Sequence, residues 1–497
     1  MQNDLPKTVG VVGAGAMGSG IAEIAAATGI AVRLFDARPD AAAAAIGTIL
    51  GRARKRLDAG KLDQARMDRL TGALNAATSL SDLAGCDIVV EAIVEDIDAK
   101  RALFAQLEEI VAPTALLASN TSSLPIGVVG SRLRHPERFA GLHFFNPVPL
   151  MKLVEVIPGP RTTDAVIGSL VAFSRHIGKE PVTVRDTPGF LVNLGGRAFS
   201  TEALAILQEN VATPAQIDAI MRDCCGFRMG PFELMDLTGM DVNFTVSQFL
   251  HQSHFADPRL RSTPLHRYML ETGQLGRKTG QGFFSYADGA VPPSPDASTD
   301  AAAAKRVVLA EDLPELRTFA ETIGVEVLAQ DDGLAPILAF PLGEDIAAHA
   351  LRLDLDARRI VGVDLAFDTS RRVTLMTSVN ADSSQRDAVA AAVIASGRAV
   401  TTIGDSAGFV AQRIVAMVGN LGCEMAQMGL AAPRDIDTAM RLGLNYPLGP
   451  LEWADRLGAS RMLSILRRIQ ALSGDDRYRP SPWLRRRADL NLEIWAN

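Results

Sequence analysis

The sequence predicts an α/β plus all-α chain: a parallel sheet domain, a helical domain, then a degenerate small α/β segment and a second helical domain. Three observations predict it. Short β-rich runs alternate with helical periodicity as far as Asp186, helical periodicity alone follows, and motifs from this junction recur from Asp405 onward. The 497 residues suit several domains, and 47% hydrophobic residues suffice for sizeable cores.

Taken in order, KTVGVVGAG reads as a strand entering a turn, and MGSGIAEIAAATG as a helix ending on glycine. AVRLFD is a second strand, and CDIVVEAI, ALLASN, RFAGLHFF and LVEVIPG continue the series, with PVTVRD (181–186) as the last. Alternation of this kind predicts a parallel, doubly wound sheet over residues 1–186. Beyond Gly189, FLVNLGGRAFSTEALAILQEN and PAQIDAIMRDCCG carry helical periodicity, predicting a helical domain over 187–287. Residues 288–305, DGAVPPSPDASTDAAAAK, read as a linker. RVVLA, VEVLAQ, APILAF, RRIVGVDL and RVTLMT then predict a degenerate small α/β domain over 306–404, and helices fill 405–497.

The repeat is explicit. DTPGFLVN (186–193) faces DSAGFVAQ (405–412), and IDAIMRDCCGFRMGPFELMDLTG (217–239) faces IDTAMRLGLNYPLGPLEWADRLG (436–458). The displacement is the same in both, as the pairs Phe190 with Phe409 and Gly230 with Gly449 show. RFAGLHFF resembles RRIVGVDL more loosely. The chain reads as a duplication with an eroded second sheet domain.

The net charge of −7 argues against nucleic acid as a partner, despite the local basic cluster RARKR (52–56). No apolar run is long enough to span a bilayer, and the N-terminal stretch has no signal-peptide pattern. Cys86, Cys224, Cys225 and Cys423 show no metal-ligand spacing, so no metal is expected, and they suit a reducing cytoplasm.

Gly13-Ala14-Gly15-Ala16-Met17-Gly18 lies between a predicted strand and a predicted helix, where glycines permit a tight turn and close approach of backbone to pyrophosphate. Asp36 ends the next strand, placed for a ribose diol, which favours NAD over NADP; Arg38 nearby leaves NADP open. The first domain is therefore Rossmann-type. No such loop occurs in the second copy.

SNTSSL (119–124), His143, Glu155 and Asn193 fall at predicted strand ends or adjacent loops, where open α/β sheets bind ligands. A secondary-alcohol dehydrogenase must remove the hydroxyl proton, and an imidazole oriented by a carboxylate suits the task. Ser122 and Asn193 are candidates to hold the substrate oxygen. Taken singly, each residue also has a structural reading: a core histidine, an edge glutamate, a loop serine.

VGAGAMGSGIA, DIVVEAIVED, ASNTSSL, RFAGLHFFNPVPLMKLVEV, DTPGFLVN, MGPFELMDLTG and GRKTGQGFFSY, in this order, resemble the L-3-hydroxyacyl-CoA dehydrogenase family over roughly residues 5–290. GFVAQRI and NYPLGPLEWADRLG resemble its helical C-terminal domain again. The tandem arrangement looks most like the bacterial 3-hydroxyadipyl-CoA type of phenylacetate catabolism. The resemblance implies NAD-dependent oxidation of a 3-hydroxyacyl-CoA, with His143 as base, Glu155 as its partner, and Ser122 and Asn193 on substrate. It implies cofactor contacts from the glycine loop (Gly13, Gly15, Ala16, Met17, Gly18), Asp36, Glu95, Lys100, Ser122, Asn146 and Lys278. Thr48 and Lys55 match coenzyme A contacts, and the acyl-CoA is the expected partner.

One departure is that the family follows its asparagine with arginine, whereas Asn193 leads into Leu194-Gly195-Gly196-Arg197, which leaves the shape of the acyl pocket open. The second copy has Gln412, Thr374 and Asp364 where the first has Asn193, Glu155 and His143, so one active site is expected. Short members of the family pair their helical domains between subunits; here a monomeric pseudo-dimer or a homo-oligomer through those domains is expected. A dicarboxylic acyl chain would want a cation, for which Arg197 and Arg228 are candidates by position. A dehydrogenase of free β-hydroxy acids and a non-catalytic NAD-binding protein are the alternatives.

Overall fold

Eight strands form the first sheet: β1 (Thr8–Val12), β2 (Ala31–Phe35), β3 (Leu74–Ala76), β4 (Ile88–Glu91), β5 (Leu116–Ser119), β6 (Phe139–Phe144), β7 (Leu153–Pro158) and β8 (Glu180–Thr183). Their order in this computed structural model is β3-β2-β1-β4-β5-β6-β7-β8. The structure describes residues 5–495, so the stretch read as lacking a signal sequence begins outside the described residues. β1, β4, β5 and β6 are the central strands, and their apolar runs are buried on both faces, as helices covering a parallel sheet require. The order 3-2-1-4-5-6 leaves a switch point between β1 and β4, where the glycine loop lies.

The expectation of a wholly parallel sheet needs correction. β7 pairs with β6 antiparallel, and β8 follows β7, so the last two strands run opposite to the rest. The connection from Phe145 to Lys152 is too short for the crossover that parallel neighbours need. The edge strand β3, only three residues long, is not legible in the sequence pattern.

The second sheet contains β9 (Arg306–Leu309), β10 (Glu326–Val327), β11 (Ile337–Ala339), β12 (Ile360–Val363), β13 (Arg372–Met376) and β14 (Ala399–Ile403), in the order β10-β9-β11-β12-β13-β14. β14 lies within the predicted 306–404 α/β segment and is not among the β-rich runs read from the sequence. β12 and β13 pair antiparallel as β6 and β7 do, and the aspartates of the two DTPGF-like motifs repeat one contact. Asp186 accepts the Ile126 N–H, and Asp405 accepts the Ile346 N–H.

The chain divides into two compact units, residues 1–194 with 428–444, and residues 195–427 with 445–497. This partition differs from the sequence boundaries because the helix Pro433–Leu444, from the second copy, packs on β7 and β8. Within the second unit the helix Arg197–Gln208 packs along Val410–Gln427. The doubled glycine of the departure is where the chain breaks from one helix, Val192–Gly195, into the next.

Candidate active site

His143 and Glu155 stand directly opposite one another in the β6–β7 register. Side chains on opposed residues of antiparallel strands share a face, so the pair meets because of the register. His143 Nδ1 and Glu155 Oε2 are 2.7 Å apart. Glu155 is fully enclosed, and its Oε1 accepts the main-chain N–H groups of Leu191 (3.0 Å) and Val192 (3.1 Å). The reading of Glu155 as a solvent-facing edge residue therefore fails, since β7 is buried along nearly its whole length. Phe145 and Phe190 flank the imidazole.

The loop after β5 supplies the third element. Ser122 is exposed, and its main-chain carbonyl accepts the Asn193 side-chain amide at 3.1 Å. Glu95 organises this loop, with Oε1 accepting from the Thr121 hydroxyl (2.6 Å) and from the N–H groups of Ser122 (2.9 Å) and Ser123 (3.1 Å). Burial raises the Glu95 carboxyl, but the Thr121 hydroxyl, the Lys100 charge and the Ser122 N–H together hold it below its ordinary value. The structure thus brings Ser122, His143, Glu155 and Asn193 into one linked set.

The glycine loop tests whether a dinucleotide fits. A Cβ on Gly13 would overlap the Ala92 carbonyl, and one on Gly18 would overlap the Gly13 carbonyl, so packing demands both glycines. Around Gly15 there is open space, which leaves bare backbone at the N-terminus of the helix Ala16–Ala27, carrying Ala16 and Met17. Asp36 accepts the Ala14 N–H at 2.8 Å, and the Arg38 hydrogen bond, against the opposing effect of burial, holds its carboxyl at about 2. An ionised acid therefore stands beside the loop. These residues fit a dinucleotide with a free ribose diol.

Other cofactor positions have different surroundings. Lys100 is 1% exposed and donates to Glu91 at 2.6 Å, with Glu95 3.2 Å away; in this conformation it braces the loop. Asn146 is exposed just beyond β6. Lys278 belongs to the second unit and pairs with Asp241. Thr48 and Lys55 are exposed on one face of the helix Ala41–Asp58.

Sequence reasoning misses three structural supports. Glu91 accepts both Lys100 and the Ser119 hydroxyl (2.6 Å), Asn120 accepts the Phe144 N–H, and buried Lys179 donates to the carbonyls of Val148 and Met151. Lys179 thereby closes the turn between His143 and Glu155, and no pattern in IGKEPVTV announces it. Burial pulls the Lys179 ammonium below its usual range. Among the described residues no three His, Cys, Asp or Glu side chains gather as metal donors.

In the second copy Asp364 takes the place of His143, and its N–H bonds to the Thr374 carbonyl. Asp364 Oδ1 accepts the Gln412 amide at 3.0 Å, and Gln412 also binds Gly343 and Pro341. The second sheet keeps counterparts of β4 to β8 and has no strand–glycine loop–helix unit among its described residues.

Comparison with known proteins places the chain in a family. Residues 8–187 match the family model for 3-hydroxyacyl-CoA dehydrogenase, NAD binding domain, and residues 189–286 and 408–492 match its C-terminal domain. The chain is 40% identical to 3-hydroxyadipyl-CoA dehydrogenase of Escherichia coli K12, covering 97% of this chain and 98% of that one. It is 42% identical to a probable 3-hydroxybutyryl-CoA dehydrogenase of Deinococcus radiodurans, covering 56% of this chain and 99% of the relative. The crystal structure of an E. coli K12 3-hydroxybutyryl-CoA dehydrogenase superposes with a TM-score of 0.88 at 37% identity, covering 98% of each chain.

Proposed function

This chain belongs to the 3-hydroxyacyl-CoA dehydrogenase family and oxidises 3-hydroxyacyl-CoA thioesters with NAD, and on that premise we propose that His143 takes the hydroxyl proton while Glu155 orients it. The observation that carries the reading is the 2.7 Å contact between His143 Nδ1 and a carboxylate whose other oxygen receives two main-chain N–H groups. That contact favours the tautomer with hydrogen on Nδ1, leaving the Nε2 lone pair for the substrate hydroxyl. As the proton arrives, imidazolium forms beside a carboxylate, which lowers the barrier. The glycine loop and Asp36 would hold NAD, which would supply the hydride acceptor. Ser122 and Asn193 orient the substrate oxygen, a role supported by the amide–carbonyl bond that ties them together. Thr48 and Lys55 contact the coenzyme A moiety, supported by their shared exposed face.

His143→Gln tests the base. Turnover should fall by about 10³-fold while NADH affinity stays close to wild type. A variant with near-wild-type turnover would remove His143 from this role.

The preferred substrate in this reading is 3-hydroxyadipyl-CoA, in the degradation of aromatic acids such as phenylacetate. Similarity over the whole chain to the E. coli dehydrogenase of that name supports it; a short or medium fatty acyl chain is the competitor. A specificity profile over 3-hydroxybutyryl-, 3-hydroxyhexanoyl- and 3-hydroxyadipyl-CoA decides between them. Four free thiols support a reducing, cytoplasmic setting. Packing of the helix Arg197–Gln208 along Val410–Gln427 supports a pseudo-dimer within one chain and one active site per chain. Loss of residues 300–497 should expose that face; a truncated protein that stayed monomeric and fully active would refute it.

A further inference from the structure

The turn that joins His143 to Glu155 is held from behind by one ammonium group. Between β6 and β7 the chain makes a single helical turn, in which the Leu150 and Met151 N–H groups both bond to the Pro147 carbonyl. This leaves the Val148 and Met151 carbonyls without a main-chain donor among the described residues. Lys179, the residue before β8, donates to both, at 2.5 and 2.6 Å. It is 7% exposed, and among the described residues no carboxylate pairs with it. A buried ammonium without an acid is costly, and the two carbonyl dipoles are what offsets it. From the other side the helix Ala16–Ala27 closes in, where a Cβ on Gly20 would lie 2.7 Å from the Val148 Cβ. The ends of the turn are fixed by the Phe144 N–H, which donates to Asn120 (2.8 Å), and by the Glu180 N–H, which donates to the Lys152 carbonyl (2.7 Å). Lys179 holds the middle.

The duplication supplies an internal control. Thr374 faces Thr401 across the sheet as Glu155 faces Val182, which puts Arg398 in the place of Lys179. Arg398 donates instead to the hydroxyls of Ser396 (2.8 Å) and Thr322 (3.2 Å), and it lies over the Phe319 ring. The cation grips the turn in the copy that carries histidine and glutamate. It turns away in the copy that carries Asp364 and Thr374.

We propose that Lys179 is a positioning residue for the reaction: its ammonium sets the turn that carries Asn146 and spans His143 to Glu155. The proposal rests on the reading of His143 as the base and adds what keeps the imidazole aimed at the substrate hydroxyl. The ammonium acts through the Val148 and Met151 carbonyls, and a turn released from it would misplace the imidazole by a fraction of its reach. Lys179 also borders a cavity of about 480 Å³, lined by Glu23, Arg56, Arg66 and His176 from the surrounding helices and their ends. That space admits a guanidinium in place of the ammonium.

The test measures kcat and KM for acetoacetyl-CoA reduction, with thermal midpoints, in wild type, Lys179→Met and Lys179→Arg. K179M removes the donors and keeps the stem, so kcat should fall by about 100-fold with KM within about threefold of wild type. K179R keeps the donors and should hold kcat within about tenfold of wild type. A K179M enzyme that melts earlier yet keeps kcat within about threefold of wild type would overturn the proposal, and so would equal losses of kcat in both variants. The alkaline profile decides if K179M does not fold. Oxidation uses neutral His143, so the base gives no alkaline loss, whereas burial holds the Lys179 ammonium below its usual range. Wild-type kcat for oxidation should decline on the alkaline side, and that of K179R should not, since a guanidinium stays charged there. The same alkaline profile in both would overturn the proposal. His143→Gln at wild-type turnover would instead overturn the reading on which it rests.

Discussion

Replacing Glu155 by Gln asks how much of the chemistry rests on one buried carboxylate. The amide conserves shape but has a single acceptor. If that oxygen stays with the Leu191 and Val192 N–H groups, the NH₂ turns toward His143 Nδ1. Nδ1 must then accept, the hydrogen moves to Nε2, and the base loses the lone pair that the substrate needs. At the observed 2.7 Å, an effective dielectric of ~20 gives about 6 kcal/mol of attraction between carboxylate and imidazolium. Part of this is lost already in the ground state, so about 4–5 kcal/mol is expected at the transition state, a fall in kcat of about 10³–10⁴-fold. The assay is NADH oxidation with acetoacetyl-CoA, with NADH affinity measured in parallel to show that the glycine loop is intact. An E155Q enzyme within tenfold of wild type would refute the orienting role.

Three further substitutions probe the cofactor loop and the second copy. Gly15→Ala adds a methyl into open space at an extended backbone position (φ −70°), so it should fold normally yet raise the NADH Kd about tenfold; Gly18→Ala, which collides with Gly13, should lower the thermal midpoint. Titration calorimetry and thermal melts separate the two, and an unchanged Kd for G15A would remove the pyrophosphate from this loop. Asp364→Asn tests linkage, because burial raises the Asp364 carboxyl from 3.8 to about 6. A raised acid contributes stability below its unfolded pKa and loses it as pH rises through about 6, by about 3 kcal/mol in all. Wild type should therefore lose about 1–2 kcal/mol relative to D364N between about pH 5 and about pH 8 in urea titrations, and equal pH dependence would contradict it.

The glycine loop, the strand series and the repeat were legible because each is a local pattern with a physical period or a fixed backbone requirement. Strand direction was not. LVEVIPG has the same apolar signature whether it enters the sheet parallel or antiparallel, and only the short connection from Phe145 to Lys152 decides. The braces of the site were also hidden, since each spans distant sequence. Glu95 grips Thr121, Glu91 grips Ser119, and Lys179 grips Val148. A buried lysine on carbonyls and a surface lysine look identical in one sequence. The surroundings of Lys100 show the same limit: family position points to the cofactor, while its contacts in this conformation are Glu91 and Glu95.

The missing arginine after Asn193 has a counterpart elsewhere in the chain. Position 194 is leucine, but its equivalent in the second copy is Arg413, fully enclosed and bonded to Glu202 (2.8 Å), Glu209 (2.9 Å) and the Tyr478 hydroxyl (2.8 Å). The equivalents of Glu202 and Glu209 are Leu421 and Met428. One copy has thus kept the cation, the other the anions, and each complementary position has become apolar. A first-copy helical domain paired with another of its kind would bury Glu202 opposite leucine, and uncompensated buried charges of this sort are destabilising by about 3–5 kcal/mol. Pairing the first copy with the second leaves no such charge. The Arg413–Glu202 contact is thus one that pairing of unlike copies makes and pairing of like copies does not.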